Sequence, residues 1–156
     1  MLIATIISLL PRDPWLIPNE AAHQQAVDRL VSFVGEVDEI HISISETPIF
    51  IDPGVGLTHV TCPSCQHRFT TSWQAIVDWA AEQHFRTLDI VMPCCRTSVS
   101  LNDLQYDCPA GWARFDIEAV NPKVAQLSIE QMRELEQILD CPMRQLLLPI
   151  DDTETA

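Results

Sequence analysis

The chain has 156 residues, 47% of them apolar, with nine basic and 22 acidic side chains and a formal charge of -13. That length suits one domain, or one domain carrying an inserted module, and the apolar share excludes a disordered chain. The charge argues against a nucleic-acid partner, since such a surface repels phosphate backbones; its plain use is solubility, and its use in binding is a basic protein partner.

The charge is uneven: residues 1–60 and 106–156 each sum to -6, and residues 61–105 to -1. The apolar stretch Met1–Leu10 stops at Pro11 and follows no basic residue. It is too short for a bilayer span and lacks the charged start of a secretion signal, so the expectation is a cytoplasmic protein with no membrane partner.

In chain order, MLIATIISLL reads as a buried strand, short and rich in β-branched residues. A three-proline loop follows. Asn19 is a good N-cap and Gly35 a good stop for a helix whose Ala22, Ala26, Val27, Leu30, Val31 and Val34 recur at helical spacing. Ile40, Ile42 and Ile44 alternate with polar residues as in a strand with one wet face, turning near Thr47-Pro48. GLTHVTC predicts a strand entering a cysteine knuckle. SWQAIVDWAAEQHF predicts a helix capped by Ser72, and TLDIVM a returning strand.

GWARFDIEAV alternates like a strand. NPKVAQ is a loop, Ser128 caps a helix striped by Met132, Leu135, Ile138 and Leu139, and MRQLLLPI closes as a strand. The order strand, basic-proline loop, helix, strand thus occurs twice. Two β-α-β halves predict an α+β fold, a ferredoxin-like sandwich with both helices on one face of a four-stranded sheet. Its halves would be residues 1–52 and 111–150. Residues 53–110 would be an inserted zinc-ribbon or treble-clef-like module, and residues 151–156 an acidic tail.

The chemistry lies with the six cysteines, which in a cytosolic chain suggest metal or redox work before disulfides. Cys62 and Cys65 are two residues apart, a spacing that points both thiolates into one pocket. Twenty-eight residues separate Cys65 from Cys94, which is followed at once by Cys95. Neighbours on an extended strand point to opposite faces, so both can ligate only if the chain turns sharply after Pro93. The expected ligands are Cys62, Cys65, Cys94 and Cys95 around a structural zinc. His67 and Cys108 are alternatives for the fourth position. Cys108 and Cys141 otherwise read as buried thiols.

CPSC also matches the active pair of thiol oxidoreductases, whose first sulfur sits at a helix N-terminus. Here QHRFTTSW follows, with no helical stripe. No glycine-rich phosphate loop, nucleophile elbow or Walker lysine is present, and the five histidines lie in different elements.

Residues 100 to 115, SLNDLQYDCPAGWARF, follow CPSC and MPCC and precede Asn121-Pro122. In that order they resemble a family of small, uncharacterised bacterial proteins carrying CPxC, PCC, SLNDL-x-Y and PAG-aromatic-ARF. The likeness covers roughly residues 60 to 122 and implies no activity. The chain departs from the pattern at Gln66, where a knuckle glycine is usual, and at Cys108, where an aromatic is expected. Ser100 would cap a short turn, and Tyr106 and Trp112 would seal the seam between module and sandwich or form a recognition patch.

Two function classes follow. One is a non-catalytic, zinc-stabilised binding protein, an adaptor or inhibitor. The other is an enzyme, with a site at the module seam using His67 or Asp103, or a thiol-disulfide oxidoreductase using Cys62 and Cys65. No clustered catalytic set is legible, which favours the first.

Overall fold

The computed structural model describes residues 2–54, 57–70, 73–83 and 86–151. Ser72, His84 and tail residues 152–156 lie outside the described residues. β1 (Leu2–Pro11) is followed by a short 3-10 turn, Glu20–Ala22, and by α1 (His23–Val34). Asn19 caps the turn, not α1 itself: its side chain accepts from the Ala21 N–H at 3.0 Å. α1 stops at Gly35, which takes φ 71° and returns its N–H to the Val31 carbonyl at 3.0 Å.

β2 spans Glu39–Ile51 without the expected turn. Thr47-Pro48 instead falls in a register shift between Ile44 and Ile49. β2 is the edge of its sheet, and an edge strand tolerates a proline at a bulge because no ladder hydrogen bond is lost there.

The next segment is built of short pieces: β3 (Val60–Thr61), β4 (Arg68–Phe69), α2 (Trp73–Glu82), β5 (Asp89–Val91), β6 (Ser98–Ser100), a 3-10 turn (Leu101–Asp103) and β7 (Gln105–Tyr106). Then come β8 (Gly111–Val120), α3 (Ile129–Leu139) and β9 (Met143–Asp151). α3 opens on a capping box. Ser128 Oγ accepts from the Gln131 N–H at 3.1 Å, and Gln131 Oε1 accepts from the Ser128 N–H at 2.9 Å.

β1, β2, β8 and β9 share one sheet in the order β2-β8-β1-β9, and every neighbouring pair is antiparallel. In each β-α-β unit the two strands flank a strand of the other unit. β3, β4 and β7 form a second sheet, and β5 and β6 a hairpin. The architecture is mixed α+β with antiparallel sheets.

One apolar cluster joins Ile7, Leu9, Phe115 and Ile117 on the sheet to Leu30 and Val34 of α1 and Leu135 and Leu139 of α3, all 3% exposed or less. Both helices therefore cover one face. Each such side chain is worth about 1.5–3 kcal/mol when fully buried, so this cluster dominates the sheet's stability. The exposed Arg29–Glu134 pair between the helices, at 2.7 Å, adds little by comparison. A separate cluster gathers Val60, Phe69, Trp73, Ala80, Ile90 and Leu101 around the short elements. Among the described residues no helix is long and apolar enough to cross a membrane.

Candidate metal centre

Two knuckles build the site, and they repeat each other at a shift of 30 residues. In the first, β3 leads into Cys62-Pro63-Ser64-Cys65 and β4 leads out. The Cys62 N–H donates to the His67 carbonyl at 2.9 Å and the Gln66 N–H to the Cys62 carbonyl at 2.9 Å. In the second, β5 leads into Met92-Pro93-Cys94-Cys95 and β6 leads out. The Met92 N–H donates to the Thr97 carbonyl at 2.9 Å and the Arg96 N–H to the Met92 carbonyl at 2.8 Å. Gln66 and Arg96 close the two turns in the left-handed region, at φ 66° and φ 59°. Most knuckles place glycine there, since a side chain at such a φ costs about 1 kcal/mol.

Aligned this way, Pro63 matches Pro93 and Cys65 matches Cys95, but Met92 stands where the first knuckle has Cys62. Cys94 stands where it has Ser64. The thiol missing at position 92 is supplied two residues later, and this explains the adjacent pair. Residues 93–95 form a turn and not a strand, so the side-chain alternation that would separate two neighbouring cysteines does not operate.

The four sulfurs of Cys62, Cys65, Cys94 and Cys95 all lie within 4.8 Å of one another. Cys62 Sγ is 3.8 Å from Cys95 Sγ, and Cys65 Sγ is 3.3 Å from Cys94 Sγ. Metal–sulfur bonds of about 2.3 Å in a tetrahedron set sulfurs about 3.8 Å apart, so the cluster has the size of a four-thiolate metal site. Among the described residues this is the group of side chains that could hold a metal ion. Cys62 is fully buried, and Ser64 Oγ meets Thr97 Oγ1 at 3.3 Å, joining the knuckles beside it.

The thiols make opposing demands. Burial, with the crowding of the Cys65, Cys62 and Cys95 sulfurs, pushes Cys94 up to about 12. The hydroxyl and N–H of Thr97 pull Cys95 down to about 6. A metal ion held by all four sulfurs would replace the thiol protons and neutralise the thiolates together.

The other expected candidates stand apart. The His67 ring packs edge-on against Phe69, centroids 4.7 Å apart, and is not in the sulfur cluster. Cys108 is also outside it, with burial and the nearby Asp52 and Asp107 pushing its thiol up. Cys141 is buried against Met143, its Sγ 3.5 Å from Met143 Sδ. Among the described residues no hydrogen bond or ion pair joins His67 to Asp103. The Cys62-Cys65 knuckle runs into β4, so neither sulfur sits at a helix N-terminus.

The SLNDLQY and PAGWARF segments form the seam. Ser100 Oγ caps the turn by accepting from the Asn102 N–H at 3.1 Å. Asn102 Oδ1 then accepts from the Trp112 N–H at 2.9 Å and from Arg144 Nη2 at 3.0 Å, while its Nδ2 donates to the Arg12 carbonyl at 3.3 Å. One amide thus ties the turn to the residue after β1, to β8 and to β9, and nothing in the spacing of the sequence announces it. Trp112 Nε1–H donates to the Tyr106 hydroxyl at 2.9 Å, which donates to the Leu101 carbonyl. Phe50 lies against both, with centroids 5.1 Å from Tyr106 and 5.2 Å from Trp112. These aromatics are packing; Trp112 is 2% exposed. A Cβ at Gly111 would fall 1.7 Å from Arg144 Nη2, so a side chain there would displace the Arg144 guanidinium from Asn102.

No family model, no curated protein and no solved structure matches the chain.

Proposed function

We propose that the four cysteines hold one structural zinc ion and that the chain is a non-catalytic binding protein of the adaptor or inhibitor type. The observation that carries this is the closed ligand set: four protein thiols converge, and a tetrahedral ion held by all four keeps no position for water or substrate. Zinc suits four thiolates in a tetrahedron and needs no redox chemistry. The acidic surface, at -13, favours a basic protein as partner and disfavours nucleic acid.

The frame in this reading is a ferredoxin-like sandwich carrying a zinc-ribbon-like module. The order β2-β8-β1-β9 and the helices on one face support the first part; the paired knuckles support the second. The segments that carry the resemblance, CPSC, MPCC, SLNDLQY and PAGWARF, fall at the knuckles and the seam.

Elemental analysis of protein purified without chelators tests the proposal. One zinc per chain is expected, with cobalt substitution giving the visible spectrum of a tetrahedral tetrathiolate. A metal-free protein with six titratable thiols that reduces disulfides would overturn it in favour of the oxidoreductase.

A further inference from the structure

Three of the chain's nine basic side chains line one hollow. Arg12 follows β1, Arg133 lies on α3 and Arg144 lies near the start of β9; the cavity between them measures about 340 Å³. Its one carboxylate, Glu136, leaves the lining at three positive charges against one negative, or +2, on a molecule whose formal charge is -13.

The polar neighbours are already engaged. Glu136 Oε2 accepts from the Met143 N–H at 2.8 Å. Gln145 Oε1 accepts from the Leu127 N–H and its Nε2 donates to the Leu127 carbonyl, both at 2.9 Å. Among the described residues, no carboxylate lies within ion-pair distance of Arg12, Arg133 or Arg144. Arg144 spends Nη2 on Asn102 and on the Ala110 carbonyl, while its buried Nε has no partner. Burial first, and then the adjacent Arg12, act against the Arg144 charge and outweigh the support of Tyr106 and Asp103. Such a grouping is costly for the empty protein, and an anion relieves it.

We infer that this hollow binds a small organic dianion of the phosphomonoester class. The charged head lies on the three guanidinia, whose planar forks suit phosphate oxygens. The first turn of α3 borders the cavity and adds the positive end of its dipole. Ile129, 68% exposed, with Met132 and Met143, offers an apolar wall for the organic body.

The test titrates the full, metal-loaded chain at low ionic strength with phenyl phosphate, inorganic phosphate and succinate, read by calorimetry and amide NMR. Saturable one-to-one binding is expected, with phenyl phosphate tighter than inorganic phosphate. Succinate should be the weakest of the three. The Trp112 N–H and Asn102 side-chain signals should shift, because Asn102 links both to Arg144. Arg144 also holds the seam, so Arg12→Gln and Arg133→Gln carry the mutational arm. Each should weaken phenyl phosphate by about tenfold or more while leaving the ligand-free melting temperature unchanged. Non-saturating titrations, unchanged affinity in both variants, or shifts confined to other surfaces would refute the site. Succinate binding tighter than both phosphates would refute the assigned head group.

Discussion

Asp116 sits in the centre of β8 and is only 2% exposed, an unusual place for a carboxyl. Its Oδ2 accepts from the Ser8 hydroxyl at 3.3 Å, and Glu118 lies two residues along the same strand. Burial, reinforced by Glu118, pushes its pKa up from 3.8 to about 7, with the Ser8 and Ser43 hydroxyls pulling the other way. Between about pH 4 and pH 7 the folded chain therefore keeps a proton that the unfolded chain releases. Folding free energy from this group is present at the acid end and is lost as pH rises through that window, becoming flat above it. The ceiling is about 4 kcal/mol, one pKa unit being about 1.4 kcal/mol. Asp116→Asn should remove that slope. Its urea midpoint should match or fall below the parent's near pH 4.5 and exceed it above pH 7. Taking the difference between parent and variant at each pH cancels what acid does to the cysteine cluster, which both proteins share. Parallel pH profiles would defeat the argument.

At the scale of elements the knuckle repeat makes a sharper demand. Met92 and Cys62 occupy equivalent positions, with the same backbone hydrogen-bond pattern and with no exposure at either. Cys94→Ser should weaken metal binding by leaving three thiolates. Adding Met92→Cys should restore it, by rebuilding the second knuckle as a copy of the first. Competition with a chromophoric chelator measures both; a double variant that binds no better than the single one would show that the two turns are not equivalent at the metal. The CPSC spacing and the Ser128 cap were legible because they depend on residues a few positions apart, and the convergence on Cys94 and Cys95 because paired cysteines mark themselves as ligands even across some thirty positions. The 30-residue repeat was not, since only the proline and the second cysteine of each knuckle are identical. The strand through Pro48 was missed because a sequence does not say which strand is an edge. Ile44, expected on a dry face, is 54% exposed for the same reason: it lies on that edge strand. The seam was half legible. The aromatics suggested it, but Asn102 does its work through partners at positions 12, 112 and 144, and the arginine hollow likewise joins residues more than a hundred positions apart.

Beside a small apolar cluster on the four-stranded sheet, made of Leu10, Ile51, Ala113, Leu146 and Leu148, the described residues form two larger ones with no member in common, one under α1 and α3 and one around the knuckles. β2 and β8 touch both, since Phe50 and Trp112 belong with the knuckle cluster while Ile40, Phe115 and Ile117 belong with the helices. The knuckle cluster is held by strands of only two or three residues, too short to persist on their own hydrogen bonds. A metal ion in small zinc modules contributes roughly 10 kcal/mol or more, comparable to the stability of a whole domain. Its removal should therefore act unequally. Chelation, or Cys62→Ser, is expected to open the segment between β2 and β8 to protease while the four-stranded sheet and its helices resist. The Trp112 signal should change with it, because the aromatic seam loses one side. Hydrogen exchange would show the gradient directly, with amides of β3 to β7 exchanging fast and those of β1 and β8 staying protected. A metal-free protein in which both regions remain equally protected would mean that packing alone supports the knuckles. Equal loss in both regions would mean that the two clusters unfold as one unit, with the seam through Asn102, Tyr106 and Trp112 as the physical link between them.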